Sequence, residues 1–282
     1  KMIFADSSRP PRRPRRSVER PTTREIKTER PMTKAWDPLF SDARSREQKP
    51  RRVGVTMVLD KCHGLSATSD LLETAGDYVD QWKFSYGTSA FLDRDLVRRK
   101  IAMIKDRDIL VYPGGTLTEY AILRGTWHDY MRRALDLGFN AVEISDGTIT
   151  YPPTERRDAI RFALDLGLTV VAEVGKKDPA RQPPPERLVE QALTDFACGA
   201  SWVVVEAREA GRGVGVFDDE GAVIESSVET MVELLGERRT DLIWEAPFKN
   251  QQEYFILRFG LDVCLGNIPP REVLSLEAMR SS

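Results

Sequence analysis

Chemistry in this sequence concentrates where apolar runs end. The run Leu168–Ala172 leads into Glu173, Gly175 then lets the backbone turn, and Lys176 and Lys177 follow. A buried carboxylate is costly unless a cation partners it, so this spacing asks for a metal ion or a lysine against Glu173. Taken alone, the stretch reads equally well as a charged surface loop. The layout recurs along the chain, however. Successive runs end at Asp60-Lys61, at Lys83 with Gly87-Thr88-Ser89, at Pro113-Gly114-Gly115-Thr116 and at Glu143 with Asp146. Further on come Glu206 with Arg208 and Glu209, then Glu245, and finally Gly266-Asn267.

Acids after four consecutive apolar runs suggest oxygen ligands for a divalent cation, magnesium being suited to such hard donors. The interleaved Lys61, Lys83, Lys177 and Arg208 suggest an anionic substrate, with arginine offering a bidentate fork to carboxylate, phosphate or sulfonate. Gly114-Gly115-Thr116 and Gly87-Thr88-Ser89 offer backbone amides and hydroxyls to an anion, although plain turns have the same sequence. A salt-bridge network closing one end of the fold is the structural alternative for the charges. Cys62-His63 lacks a partner at catalytic spacing and reads as a passive loop pair. The segment from Gly211 to Val223 reads as a hairpin excursion with a tight Asp219-Glu220-Gly221 turn, a lid being the other reading.

Positioning these groups falls to a repeated strand, loop and helix pattern that begins near Arg51. Predicted strands cover 53–59, 78–82, 109–112, 141–144, 168–172, 202–205, 242–244 and 262–265. Predicted helices follow at 68–76, 94–107, 116–137 (broken at Gly125), 153–166, 185–198, 227–235, 250–259 and 270–280. In the second of these, Leu96, Val97, Ile101 and Ile104 make one helical face. Such alternation implies a parallel sheet, because parallel neighbours need a crossover. Eight units is the count at which that sheet closes into a (β/α)8 TIM barrel, whose chemistry lies at the carboxyl ends of the strands. An open doubly wound sheet is the rival, but no Gly-x-Gly-x-x-Gly follows the first strand.

Composition bounds the rest. The chain has 282 residues, 41% of them apolar, enough for a sizeable core. Its net charge of -2 hides an asymmetry: residues 1–50 hold fourteen Lys or Arg against seven Asp or Glu, so the remainder is strongly acidic. Arg9-Pro-Pro-Arg-Arg-Pro-Arg-Arg16 has no apolar partners with which to pack, and residues 1–49 read as a flexible extension to a catalytic domain over 50–282. Trp36, Leu39 and Phe40 are candidates for the first residues to dock. Three unclustered cysteines fit a reducing cytoplasm. No apolar run is long enough to span a membrane, and neither a membrane nor a nucleic-acid partner is expected.

The strand-end motifs resemble those of the phosphosulfolactate synthase family. Thr56–Lys61, Lys83–Ala90, Val111–Leu117, Val142–Gly147, Glu173–Lys177, Glu206–Glu209, Trp244–Pro247 with Gln251-Gln252, and Leu265–Asn267 carry the likeness, in order, over roughly residues 50–280. The resemblance implies a (β/α)8 barrel and a lyase-type enzyme that adds sulfite to phosphoenolpyruvate with Mg2+, giving (2R)-2-O-phospho-3-sulfolactate, the opening of a route to coenzyme M in methanogens. It implies Lys177 as the proton donor, with neighbouring cations drawing its pKa toward neutrality. Lys83, Lys176 and Arg208 would hold phosphate and sulfite. Lys61, Gly114, Gly115, Asn267 and Gln251 are further expected substrate contacts. Glu143, Glu173 and Glu206 are the expected magnesium ligands or orienters of the lysines. A homo-oligomer is expected, with a trimer as the candidate. Two other readings stay open: a related barrel enzyme adding a different nucleophile to phosphoenolpyruvate, and a non-catalytic heat-stress-associated relative.

Overall fold

The computed structural model describes residues 34–36, 46–61 and 63–281. The extension predicted over residues 1–49 lies almost wholly outside these, as do Leu39, Phe40 and Cys62. By contacts the chain divides into Lys1–Ser41 and Asp42–Ser282, and the second unit carries the fold.

Its strands are β1 (Thr56–Asp60), β2 (Gln81–Phe84), β3 (Leu110–Pro113), β4 (Ala141–Ile144), β5 (Thr169–Val174), β6 (Trp202–Val205), β7 (Leu242–Glu245) and β8 (Cys264–Ile268). Between and after them run α1 (Leu65–Ala75), α2 (Arg94–Lys105), α3 (Gly115–Leu123), α4 (Trp127–Leu137), α5 (Pro153–Asp165), α6 (Pro185–Cys198), α7 (Glu225–Leu235), α8 (Lys249–Phe259) and α9 (Val273–Ser281). The helix predicted over 116–137 is indeed two, α3 and α4, parted around Gly125. Helix α2 shows the local logic. The Asp93 carboxylate caps it by accepting from the Asp95 and Leu96 amides, and Val97, Ile101 and Ile104 turn one buried face inward.

The strand order is β3-β2-β1-β8-β7-β6-β5-β4, with β1 and β8 paired in parallel. Chain order that runs back on itself in this way describes a ring, so the open-sheet alternative is excluded. The barrel is nearly closed. At the seam between β3 and β4 a side chain stands in for a ladder: the Val111 amide donates to Asn140 Oδ1 at 2.7 Å, and the Asn140 amide to the Val111 carbonyl at 3.3 Å.

Side chains alternate across each strand. The outward set, including Val58, Val111, Val142, Val170, Val203 and Trp244, packs against the helices in the larger core. The inward set forms a second core inside the barrel, from Met57, Tyr112, Ala141, Val171, Val204, Ile243 and Cys264. The same inward rows continue upward into Lys83, Glu143, Glu173 and Glu245, all buried. Apolar packing thus fills the lower barrel, and charge occupies the layer nearest the strands' carboxyl ends.

That alternation corrects the predicted ends. Glu173 and Glu245 lie within β5 and β7, not in the loops after them, and Glu143 lies within β4, inside its predicted strand. A charge interrupts an apolar run in sequence, but an inward position in a barrel accepts one when a counter-charge faces it.

Candidate active site

A cavity of about 690 Å3 opens at the carboxyl ends of the strands. At its floor, Lys83 Nζ lies 2.9 Å from Glu143 Oε2, 2.9 Å from Glu173 Oε2 and 3.3 Å from Glu245 Oε1. Higher up, Lys177 Nζ lies 3.7 Å from Glu173 Oε1 and 3.5 Å from Glu206 Oε2. Gly175, at φ +117°, makes the turn that returns Lys177 over the carboxylate four residues before it.

The charges in this cluster do not cancel. Glu143, Glu173, Glu206 and Glu245 face only Lys83 and Lys177 among its cations. Burial pushes the Glu143 carboxyl up to about 8 despite the attraction of Lys83. Burial, reinforced by the Glu173 and Glu245 carboxylates, raises Glu206 well above the usual range, and burial raises Glu245 too. Glu173 goes the other way. Burial opposes its charge, but Lys83 and Lys177 together hold its carboxyl below the usual range.

Two excess negative charges can be neutralised by protons or by a divalent cation. The buried Glu143 Oε2 and Glu173 Oε1 face the Lys83 and Lys177 ammoniums, at 2.9 and 3.7 Å, without a well-aligned hydrogen bond. In charge and in hard-oxygen character the set fits magnesium. Among the described residues, though, no three such side chains are already grouped to hold a metal; the ammonium of Lys83 sits where the oxygens converge.

Several expected substrate contacts do meet here. Gly114, Gly115, Arg208 and Asn267 line the cavity with Lys83, Glu143, Lys177 and Glu206. The Gly115 amide is spent on Glu143 Oε1, at 2.7 Å. Asn267, in the left-handed region at φ 54°, leaves a buried Oδ1 without a donor. Arg208, also left-handed at φ 58°, donates its amide to Glu206 Oε1 at 2.6 Å and its Nη1 to the Lys177 carbonyl at 3.3 Å.

Other expectations are corrected. Lys176 does not reach the cavity: its Nζ donates to the Asp146 carbonyl and Oδ2, each at 2.6 Å, and so ties two loops together. Gln251 is fully buried at the start of α8, where its Nε2 donates to the Gly211 and Gly221 carbonyls at 2.8 and 3.0 Å. It clamps the excursion after β6 and lies outside the cavity lining. That excursion is a packed hairpin, bridged between Phe217 and Val223, with Val216 and Phe217 buried. Lys61 stays at the rim, paired with Glu209, which also accepts from the Tyr86 hydroxyl at 2.9 Å. Lys83 is not free to hold phosphate, because three carboxylates already surround it. Lys177 is not drawn toward neutrality. Burial lowers its pKa, but Glu173 and Glu206 outweigh burial and raise it.

Sequence reasoning missed Arg181, which lines the cavity after a single turn capped by Asp178. It also missed the buried Lys100 on α2, whose ammonium pairs with Asp60 Oδ2, the same oxygen that accepts from Trp82 Nε1 at 2.8 Å. Asp60 is therefore committed to this structural contact. A lysine in the apolar stripe of a helix was the available signal.

A (β/α)8 barrel with a cavity at the carboxyl ends of its strands, lined by lysines, arginines and buried carboxylates, defines the class: a barrel with an enzyme-type site. The particular family follows from comparison. The chain belongs to the (2R)-phospho-3-sulfolactate synthase (ComA) family, whose profile matches residues 44–282. It is 44% identical over 237 residues to the phosphosulfolactate synthase of Methanothermobacter thermautotrophicus, covering 83% of this chain and 91% of that one. The phosphosulfolactate synthase of Bacillus subtilis is 32% identical over 243 residues, covering 83% and 92%. The Arabidopsis thaliana protein HEAT-STRESS-ASSOCIATED 32 is 23% identical over 268 residues, covering 86% and 90%. Among solved structures, 3-hexulose-6-phosphate synthase from Salmonella typhimurium shares the fold, with a TM-score of 0.52 at 12% identity, covering 80% of this chain and 98% of that one. Family membership implies a lyase-type enzyme. No helix among the described residues is long and apolar enough to cross a membrane.

Proposed function

We propose that this protein joins sulfite to phosphoenolpyruvate, giving (2R)-2-O-phospho-3-sulfolactate. The observation that carries the reading is Lys177, a protonated lysine held by Glu173 and Glu206 in the wall of a cavity that Arg181 and Arg208 also line.

The sulfur lone pair of sulfite forms a bond to the methylene carbon of phosphoenolpyruvate. The π electrons of the double bond move onto the neighbouring carbon and its carboxylate, and a proton must then reach one face of that carbon. Arg181 and Arg208 attract and orient the anionic reactants. Glu173 and Glu206 keep Lys177 charged at neutral pH, so the donor is always loaded. A raised pKa does not impede donation, because the carbanionic carbon is far more basic than an amine. The Lys177 side chain keeps a quarter of its surface exposed, which allows its proton to be replaced from solvent. Glu143, Glu173 and Glu206 would hold Mg2+, which when bound supplies Lewis-acid stabilisation of the charge developing on the substrate carboxylate. Lys83 acts as the fixed counter-ion that keeps Glu143, Glu173 and Glu245 together.

Incubation with phosphoenolpyruvate, sulfite and magnesium should yield an acid-stable phosphorylated sulfonate, identified by mass spectrometry. Consumption of phosphoenolpyruvate only with another nucleophile would replace sulfite in this reading. Absence of turnover with every nucleophile would remove it.

A further inference from the structure

We propose that Glu119 is a positioning residue for Lys177, acting through the loop that follows β4. The inference rests on the synthase reading for its kinetic consequences, though its structural half stands separately. Glu119 is buried on α3 and does not line the cavity. Its Oε1 accepts from Ser145 Oγ at 2.5 Å and the Gly147 amide at 3.0 Å. Its Oε2 accepts from the Thr148 amide at 2.7 Å, the Ile149 amide at 3.2 Å and the Thr148 hydroxyl. Three consecutive amides and two hydroxyls thus saturate one buried carboxylate. That compensates its desolvation and fixes the loop backbone from residue 145 to residue 149.

What this loop fixes in turn is Lys177. The Lys177 amide donates to the Gly147 carbonyl at 2.9 Å. Gly147 also lies flat against the lysine stem: a Cβ there would stand 3.2 Å from Lys177 Cε and 3.3 Å from Cγ. A side chain there would push the lysine stem aside by a few tenths of an ångström, and Glu119 sets where that glycine sits. Lys176 ties the same loop from the β5 side, through the Asp146 and Ile149 carbonyls. The stem of the proposed proton donor is therefore walled on one side, while Glu173 and Glu206 hold its head. A lysine otherwise has wide rotamer freedom, and misplacing a reacting group by about 1 Å can cost about 10²-fold.

Glu119→Gln puts an amide NH2 among N–H donors, so it breaks part of this set without changing side-chain volume. The expected result is a fall in kcat of about 10- to 100-fold with KM for phosphoenolpyruvate within about threefold. Hydrogen exchange should quicken at the Gly147, Thr148, Ile149 and Lys177 amides, while the β5 and β6 amides stay protected. In a Lys177→Ala background the same substitution should change the residual rate by less than about threefold, since the group being positioned is gone. Should Glu119→Gln not fold, Ser145→Ala removes one donor from a near-isosteric site, and a smaller fall confined to kcat is expected. An equal loss in both backgrounds, a loss in KM alone, or a Lys177 amide still fully protected would overturn the assignment. If the parent protein makes no phosphosulfolactate, the synthase reading fails, and the exchange result alone decides whether Glu119 holds Lys177.

Discussion

The two lysines that meet at Glu173 carry different burdens. Lys83 is enclosed by three carboxylates and Lys177 is partly open to the cavity, so substitution should separate stability from chemistry. Lys177→Arg keeps the charge but does not give up a proton near neutral pH. A kcat loss of about 10²–10⁴-fold is expected, with the melting temperature nearly unchanged. Near-normal turnover in that variant would reassign the proton donor. Lys83→Met leaves buried carboxylates without their cation, and breaking such a pair costs about 3–5 kcal/mol. Thermal unfolding should therefore move down markedly, and an unmoved melt would show that Lys83 is not the counter-ion. The two assignments stand or fall on separate instruments, a rate assay and a melting curve.

Among the elements, the barrel's contacts reach back to Arg46, four residues before the boundary predicted at residue 50. Arg46 is buried, pairs with Glu277 on α9, lies 3.6 Å from Asp80 Oδ2 and donates to the Gly54 carbonyl. It fastens the last helix beneath the entry to β1. Deleting residues 1–45 should leave cooperative melting and turnover intact, since every strand, and Arg46 itself, remains. Arg46→Ala in that shortened chain should lower stability by about 3–5 kcal/mol, because Asp80 and Glu277 lose a buried partner. Denaturant unfolding measures both, and equal midpoints for the two chains would mean that Arg46 contributes nothing.

For the molecule as a whole, the unbalanced carboxylates predict a dependence on pH and on divalent cations. Glu143 is raised to about 8, above its unfolded value, so the fold favours its protonated form. The stability this provides is complete at acid pH below the unfolded pKa and is lost as pH rises through about 8. The melting temperature should therefore fall between about pH 5 and about pH 8 and level off above, and magnesium should restore part of it by neutralising the same oxygens. A flat profile over that interval would mean that Glu143 is ionised throughout. Removing divalent cations with EDTA should likewise abolish activity and adding magnesium should recover it; full activity after exhaustive chelation would exclude magnesium from the reaction.

Much of this was legible in the chain. Eight apolar runs alternating with amphipathic stretches required a parallel barrel, because parallel strands need crossovers and each helix face needs a strand face to cover. The polar residues at the ends of those runs located the site, since a barrel's interior is packed and only its carboxyl-end loops are free for chemistry. Which charges meet was settled by tertiary structure. Sequence spacing does not distinguish Lys176, turned back onto Asp146, from its neighbour Lys177, turned onto Glu173 and Glu206. Nor does it bring Lys83 of β2 against Glu245 of β7, or Glu119 of α3 against the loop after β4. Those meetings depend on ring closure and on the two-residue alternation that sends one side chain into the barrel and the next toward the helices.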